Sequence, residues 1–246
     1  MPKNKRQRRR RTALYVPVCI LLIIFAVLFG MNIFFKVEEI DVIGNSKYSA
    51  EEIIAASGIS MGDYLFLVDR NEAGISICNA LPYVDEVRIK KHLPDSVSIE
   101  LIESVPVASI YVGGTWLIDK NCRVLEKTVG TEDRGLMNIL GITPEAPVLG
   151  KKLEVPEGEA LLLSYASDML NGFFTLNIHS AVSELDFSNV INITFIYDGR
   201  FTVAFGSMKN VMYKLELMMG AIEQSGPNDR GKIDVSEEKV SIIYAN

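Results

Sequence analysis

KVEEIDVIGNSKYSAEEIIAASG, residues 36–58, opens on a strand and closes on a helix. Val37–Ile43 sets apolar residues among Glu38, Glu39 and Asp41, which predicts a strand, and Gly44-Asn45 ends it. Ser49 and Glu52 have the spacing of a capping box, with Ile53, Ile54 and Ala56 following on one side. Gly58 stops that helix. Further out, Asp69 and Glu72 repeat the box and open a second helix through Ile75, Ile77 and Cys78 to Leu81, where Pro82 ends it. Val84–Lys91 places Val84, Val87 and Ile89 between charges and reads as a strand. Leu93-Pro94-Asp95-Ser96 is a turn. Val97, Ile99 and Leu101 then alternate with Ser98, Glu100 and Ile102. The order across residues 37–102 is β-α-α-β-β.

Upstream lies a contrast in charge. Residues 1–11 carry seven of the 25 Lys and Arg residues and no acid. Thr12–Phe35 carries no charge at all, and the remaining chain holds all 31 acids. The formal net charge of −6 is therefore the sum of a +7 tail and a −13 body. Ala13–Phe35 reads ALYVPVCILLIIFAVLFGMNIFF. A helix of that length reaches about 35 Å, enough for a hydrocarbon core of about 30 Å. Pro17 falls in the first turns, where a missing N–H costs least. Tyr15 and Phe34-Phe35 suit the two interfaces. A cleaved signal peptide would have a shorter apolar stretch and a small-x-small site; Phe29-Gly30-Met31-Asn32 follows here instead. The reading is an uncleaved anchor over 13–35. By the positive-inside rule residues 1–12 stay in the cytoplasm and residues 36–246 lie outside. The acidic body argues against general nucleic-acid binding, and the basic tail reads as a topology signal.

Downstream the pattern becomes β-rich. Val107–Val112, Thr115–Asp119, Arg123–Glu126 and Leu136–Leu140 read as short strands, and Thr143–Gly150 as a loop. Pro156 begins a helix that Asn171-Gly172 should stop. Phe174–Ile178, Val182–Phe187, Ile191–Tyr197 and Arg200–Phe205 read as strands, the last two joined by an Asp198-Gly199 hairpin. Met208–Gln224 is an amphipathic helix with Val211, Leu215, Met218, Met219 and Ile222 on one side. Its methionines Met208, Met212, Met218 and Met219 read as core more readily than as a docking face. Gly231–Val235 and Lys239–Tyr244 are the final strands.

Catalytic chemistry has little to stand on. His92 and His179 are far apart, and neither has a His, Cys or carboxylate at metal spacing. There is no G-x-S-x-G, P-loop or G-x-G-x-x-G motif. Glu51-Glu52 and Glu237-Glu238 are adjacent pairs, which do not face each other across a substrate. Cys19 lies in the apolar segment. Cys78 and Cys122 would be exported, and whether they pair is left open. The expectation is no enzyme, no cofactor, no metal and no small-molecule substrate.

Certain fragments carry a resemblance. Phe35, Val37, Ile40, Val42, Gly44 and Asn45 precede Ser49-Ala50-Glu51-Glu52-Ile53. Leu81-Pro82-Tyr83-Val84, Val87, Lys90, Leu93–Val97, Ile99, Glu103 and Pro106-Val107-Ala108 follow. Together they resemble the FtsQ/DivIB family of bacterial cell-division proteins, whose first exported domain is a POTRA domain. Trp116–Asp119 and Arg123-Val124-Leu125 are similar to the family's next hairpin. Phe205-Gly206, Lys214-Leu215 and Ile233-Asp234-Val235 are similar to its closing helix and strands. Cys122 departs from the pattern, standing where the family usually has Gly. The chain also stops at Asn246, so any role of the long flexible tail of some members does not carry over.

The resemblance implies an α+β fold with a single transmembrane helix, a POTRA domain over 36–104, and over 105–246 a mixed β-rich domain with two or more helices. It implies a non-enzymatic, type II single-pass protein of the cytoplasmic membrane at the division septum. Its implied partners are the FtsL and FtsB/DivIC types of small division protein, together with the septal peptidoglycan synthase complex. The implied partner-binding residues are Val240, Ser241, Ile242, Ile243 and Tyr244, beside the helix around Lys214. Exposed strand edges suit such a role by β-augmentation; the residues alone leave open whether 240–244 is an edge or a paired core strand. The alternative is a POTRA-bearing component of a transport or outer-membrane assembly system. It fits poorly, because too few residues remain for a membrane barrel and a helical anchor is the wrong attachment.

Overall fold

The computed structural model describes residues 15, 17–26, 29–30, 34–128, 135–237 and 239–245. Contacts divide the mixed α+β chain into two units. One takes the residues up to Ala80 with Val84–Glu103, the other Leu81–Tyr83 with the chain from Ser104.

The first unit runs β1 (Glu39–Ile43), α1 (Ala50–Ser57), α2 (Arg70–Ala80), β2 (Val84–His92) and β3 (Ser96–Glu103). β3 is central, parallel to β1 and antiparallel to β2, with Ile40 beside Val97 and Ile89 beside Ile99. Ile53 of α1, Ile77 of α2, Leu65 of the intervening loop and Val84, Val97 and Ile99 of the sheet are sealed from solvent. Local chemistry sets both helix starts. Ser49 Oγ accepts the Glu52 N–H at 3.2 Å, and Glu52 Oε2 accepts the Ser49 N–H at 2.8 Å. Such a cap contributes about 1 kcal/mol. Gly58 ends α1 in the left-handed region at φ 70°. Asp69 Oδ1 accepts the Asn71 and Glu72 N–H groups at the start of α2.

The second unit contains β4 (Ala108–Tyr111), β5 (Thr115–Ile118), β6 (Val124–Lys127), β7 (Met137–Leu140), α3 (Ala160–Thr175), β8 (Val182–Asp186), β9 (Ile193–Tyr197), β10 (Phe201–Gly206), α4 (Val211–Glu223), β11 (Gly231–Asp234) and β12 (Ser241–Tyr244). Its nine strands form one sheet in the order β12-β11-β10-β9-β8-β7-β4-β5-β6. Phe173, Leu170 and Met169 of α3 and Leu215 and Met218 of α4 join Phe195, Phe201 and Phe205 of the sheet in a continuous core. The Asp198-Gly199 hairpin has φ of 53° and 62° at its two turn residues, the values of the turn whose twist matches flanking strands.

Three expectations fail. The helix does not stop at Asn171-Gly172 but continues to Thr175. Gly172 is where α4 crosses: a Cβ there would lie 2.8 Å from Leu215 Cδ1. The strand expected at Phe174–Ile178 is therefore absent, with Phe174 and Thr175 helical and Asn177 turning the chain at φ 55°. α4 begins at Val211, three residues later than expected from Met208, because Asn210 is left-handed at φ 51°.

The basic tail at 1–12 lies outside the described residues, as does part of the span expected at 13–35. Residues 17–26 are helical, with exposed apolar side chains such as Leu21 and Phe25. No helix among the described residues is long and apolar enough to cross a membrane.

Candidate partner-binding edge

β12 is an outermost strand of the nine-stranded sheet, paired antiparallel to β11 on one side only. Tyr244 faces Gly231, Ile243 faces Lys232, Ile242 faces Ile233 and Ser241 faces Asp234. The Ala245 N–H donates to the Arg230 carbonyl at 2.8 Å, in the same register. That bond sets the phase of the ladder, since hydrogen-bonded and non-hydrogen-bonded pairs alternate in antiparallel sheets. Ser241, Ile243 and Ala245 therefore turn their N–H and C=O groups toward β11. Ile242 and Tyr244 turn theirs to the open edge. No backbone hydrogen bond among the described residues reaches that edge.

The opposite edge is managed differently. β6 is covered at its start by the chain around Lys151. Val124 N–H donates to Lys151 O, Gly150 N–H donates to Val124 O, each at 2.8 Å, and Arg123 bridges Lys152. An edge closed by a loop is protected from added strands, while one left open is a template for them.

The side chains of β12 divide by face. Ile242 is half-buried against the core, and the Tyr244 hydroxyl lies 3.3 Å from Ser225 Oγ at the end of α4. Ile243 projects to the other face and is 65% exposed; Tyr244 is 49% and Val240 38% exposed. Beneath them β11 is pinned from both ends. At its start, Arg200 Nη1 donates to the carbonyls of Gly226 and Pro227 at 3.1 and 3.0 Å, ordering the turn that feeds Gly231. At its end, Ser236 donates to Asp234 Oδ1 through its hydroxyl at 2.6 Å and its N–H at 2.9 Å. Those two bonds, with Lys232 and Lys214 nearby, hold the Asp234 carboxyl below its ordinary range despite partial burial. Among the described residues no group of His, Cys, Asp or Glu side chains is placed to hold a metal ion.

Residues 35–104 match the family model of the POTRA domain, FtsQ-type. The cell division protein DivIB of Clostridium botulinum strain Hall is 27% identical over 249 residues, spanning 98% of this chain and 94% of that protein. DivIB of Clostridium acetobutylicum is 25% identical over 208 residues, 82% of this chain and 80% of its own. FtsQ of Anaeromyxobacter sp. strain K is 24% identical over 195 residues, 78% of this chain and 64% of its own. The chain carries an FtsQ-type POTRA domain, its β-α-α-β-β unit, and is similar to DivIB and FtsQ cell-division proteins over most of its length.

Five of the residues expected at the partner site, Val240, Ser241, Ile242, Ile243 and Tyr244, lie together on or next to β12. Lys214 does not join them at the surface. It is 2% exposed, inside the buried stripe of α4 with Leu215, Met218 and Ala221. Its Nζ donates to the carbonyls of Phe205 at 3.1 Å and Ser207 at 2.9 Å and sits 5.0 Å from the Phe205 ring centre. A cation held this way ties α4 to the end of β10. Its position among Val211, Leu215 and Met218 was the signal, since a Lys at a core position of a helix needs buried acceptors. Arg200 and Ser236 escaped the sequence reading because nothing local marks them. Cys78 and Cys122 lie one in each unit and are not joined in a disulfide.

Proposed function

We propose that this protein is a single-pass type II protein of the cytoplasmic membrane at the division septum. It binds FtsL-type and FtsB/DivIC-type partners outside the membrane and helps recruit and regulate the septal peptidoglycan synthase complex. In this reading residues 1–12 are the cytoplasmic tail, 13–35 the transmembrane helix, 36–104 the POTRA domain and 105–246 the β domain. It acts by binding, not catalysis. The observation that carries the reading is the open backbone of Ile242 and Tyr244 on an uncovered edge. Each offers one donor and one acceptor, so an FtsB/DivIC-type strand adds as a tenth strand, and Ile243 and Tyr244 supply side-chain contacts on the two faces.

The test uses prolines placed by the ladder phase. Ile242→Pro and Tyr244→Pro each delete an outward N–H, whereas Ile243→Pro breaks the bond to β11 and unseats the strand itself. Capture of the FtsB/DivIC-type partner by full-length protein should weaken about tenfold for either outward proline, the equivalent of one to two net hydrogen bonds. Urea melts should stay near those of the parent. Undiminished capture by both variants would place the interface elsewhere.

A further inference from the structure

The loop between α1 and α2 carries apolar side chains that stay largely exposed among the described residues. Met61 is 62% exposed, Phe66 54% and Leu67 79%, while Leu65 between them is sealed in the core. Leu93, in the β2–β3 turn, is 67% exposed. Both elements are bonded to the chain where it leaves the apolar segment. Val37 N–H donates to Asp63 O and Gly62 N–H to Val37 O, each at 2.8 Å, and Leu65 N–H donates to Phe35 O at 2.9 Å. Lys36 bridges Tyr64, and the Phe35 and Phe66 rings lie 5.0 Å apart. Glu38 N–H donates to Asp95 O at 2.8 Å, which brings the β2–β3 turn to the same end.

We propose that this end of the POTRA domain is seated in the phospholipid headgroup layer of the membrane, with Phe66 and Leu67 inserted and Met61 and Leu93 beside them. The inference rests on the single-pass reading of residues 13–35. Given that anchor, the tether leaves no choice of distance. Phe35 ends the apolar stretch and is itself hydrogen-bonded to the loop, and one residue of chain spans at most about 3.6 Å. The residue types suit the layer: aromatic rings and long apolar side chains on the lipid side, with lysines at headgroup level. Lys36 Nζ lies 5.6 Å from the Tyr64 ring centre, Lys91 Nζ donates to Phe66 O at 3.2 Å, and Arg70 stands at the rim. The acids in the same loop are engaged within the protein. Asp63 accepts the Ser60 N–H at 2.8 Å, and Asp69 caps α2. The seating fixes which side of the domain faces the lipid and holds it close to the membrane.

The experiment is quenching of tryptophan fluorescence by brominated phosphatidylcholine in vesicles carrying the full-length protein. Single variants Phe66→Trp and Leu67→Trp probe the loop, Phe29→Trp probes the anchor, and Ile102→Trp is the distant control. Ile102 is 55% exposed and lies six positions along β3 from Ser96, roughly 20 Å away at strand rise. Trp116, the one native Trp, is common to all and is subtracted. Quenching at positions 66 and 67 should exceed that at 102 by about twofold or more. Quenching at 29 but not above the control at 66 and 67 would overturn the lipid seating and leave the anchor standing. Absence of quenching at 29 would overturn the anchor and the seating with it.

Discussion

Cys122 occupies a left-handed turn position, φ 60°, and is sealed from solvent. Burial pushes its thiol from 9.0 up to about 12, partly opposed by the Lys152 cation and assisted by the Asp119 carboxylate. The folded thiol thus stays protonated in a range where the unfolded one ionises. Stability from this group is full below pH 9 and falls as pH rises toward 12, by at most about 1.4 kcal/mol per pH unit. Urea unfolding at pH 8 and pH 10 should show that extra loss in the parent and not in Cys122→Ala; equal losses would contradict it. The sequence exposed this residue as a departure from Gly, but not that the turn keeps its left-handed geometry with a thiol packed beneath it. Lys214 is the companion case. Lys214→Met keeps the apolar stem and removes the donor to the Phe205 and Ser207 carbonyls. The expected cost is about 1–3 kcal/mol in a thermal melt, with partner capture per folded molecule unchanged. Retained stability with lost capture would instead put the ammonium at the interface.

Elements differ in how far their causes lie along the chain. The starts of α1 and α2 were legible because each cap spans three residues. The Asp198-Gly199 hairpin was legible for the same reason. The end of α3 was not, because the residue that explains Gly172 is Leu215 on another helix. Gly172→Ala sets a propensity gain of about 1 kcal/mol against overpacking of about 1–3 kcal/mol at a sealed Leu. The net expectation is destabilisation by about 1 kcal/mol in urea unfolding. Repeating the change in Leu215→Val should recover most of the loss. Additive losses would mean that the two side chains do not collide. The edge status of β12 was unreadable for a stronger reason. Ile242-Ile243-Tyr244 has the apolar, β-branched character of a buried strand. Its place depends on the order of the whole sheet: β10 joins β11 and β7 joins β8 in parallel across helices, but β7 also pairs with β4 past β5 and β6, a join that sequence proximity does not favour.

Across the whole molecule, the net charge of −6 describes no surface, since the basic residues of the tail and the acidic excess of the body belong to opposite sides of the proposed anchor. In the proposed topology the tail's cations set orientation, because Lys and Arg within about 15–20 residues of a span resist export, whereas Asp and Glu count for little. In the same proposal the body's acidity does not steer it outward. This separates two otherwise similar manipulations. Replacing the seven tail cations by Gln should leave a substantial share of chains, about half, with the body on the cytoplasmic side. Replacing seven exposed acids of the body by Gln makes the net charge more positive by the same amount that the tail change makes it more negative, and should leave orientation unchanged. Protease added to intact spheroplasts reads the difference, because only an exported body is digested. If the body changes invert the chain and the tail changes do not, orientation follows net charge and the assignment of topology to the tail is wrong.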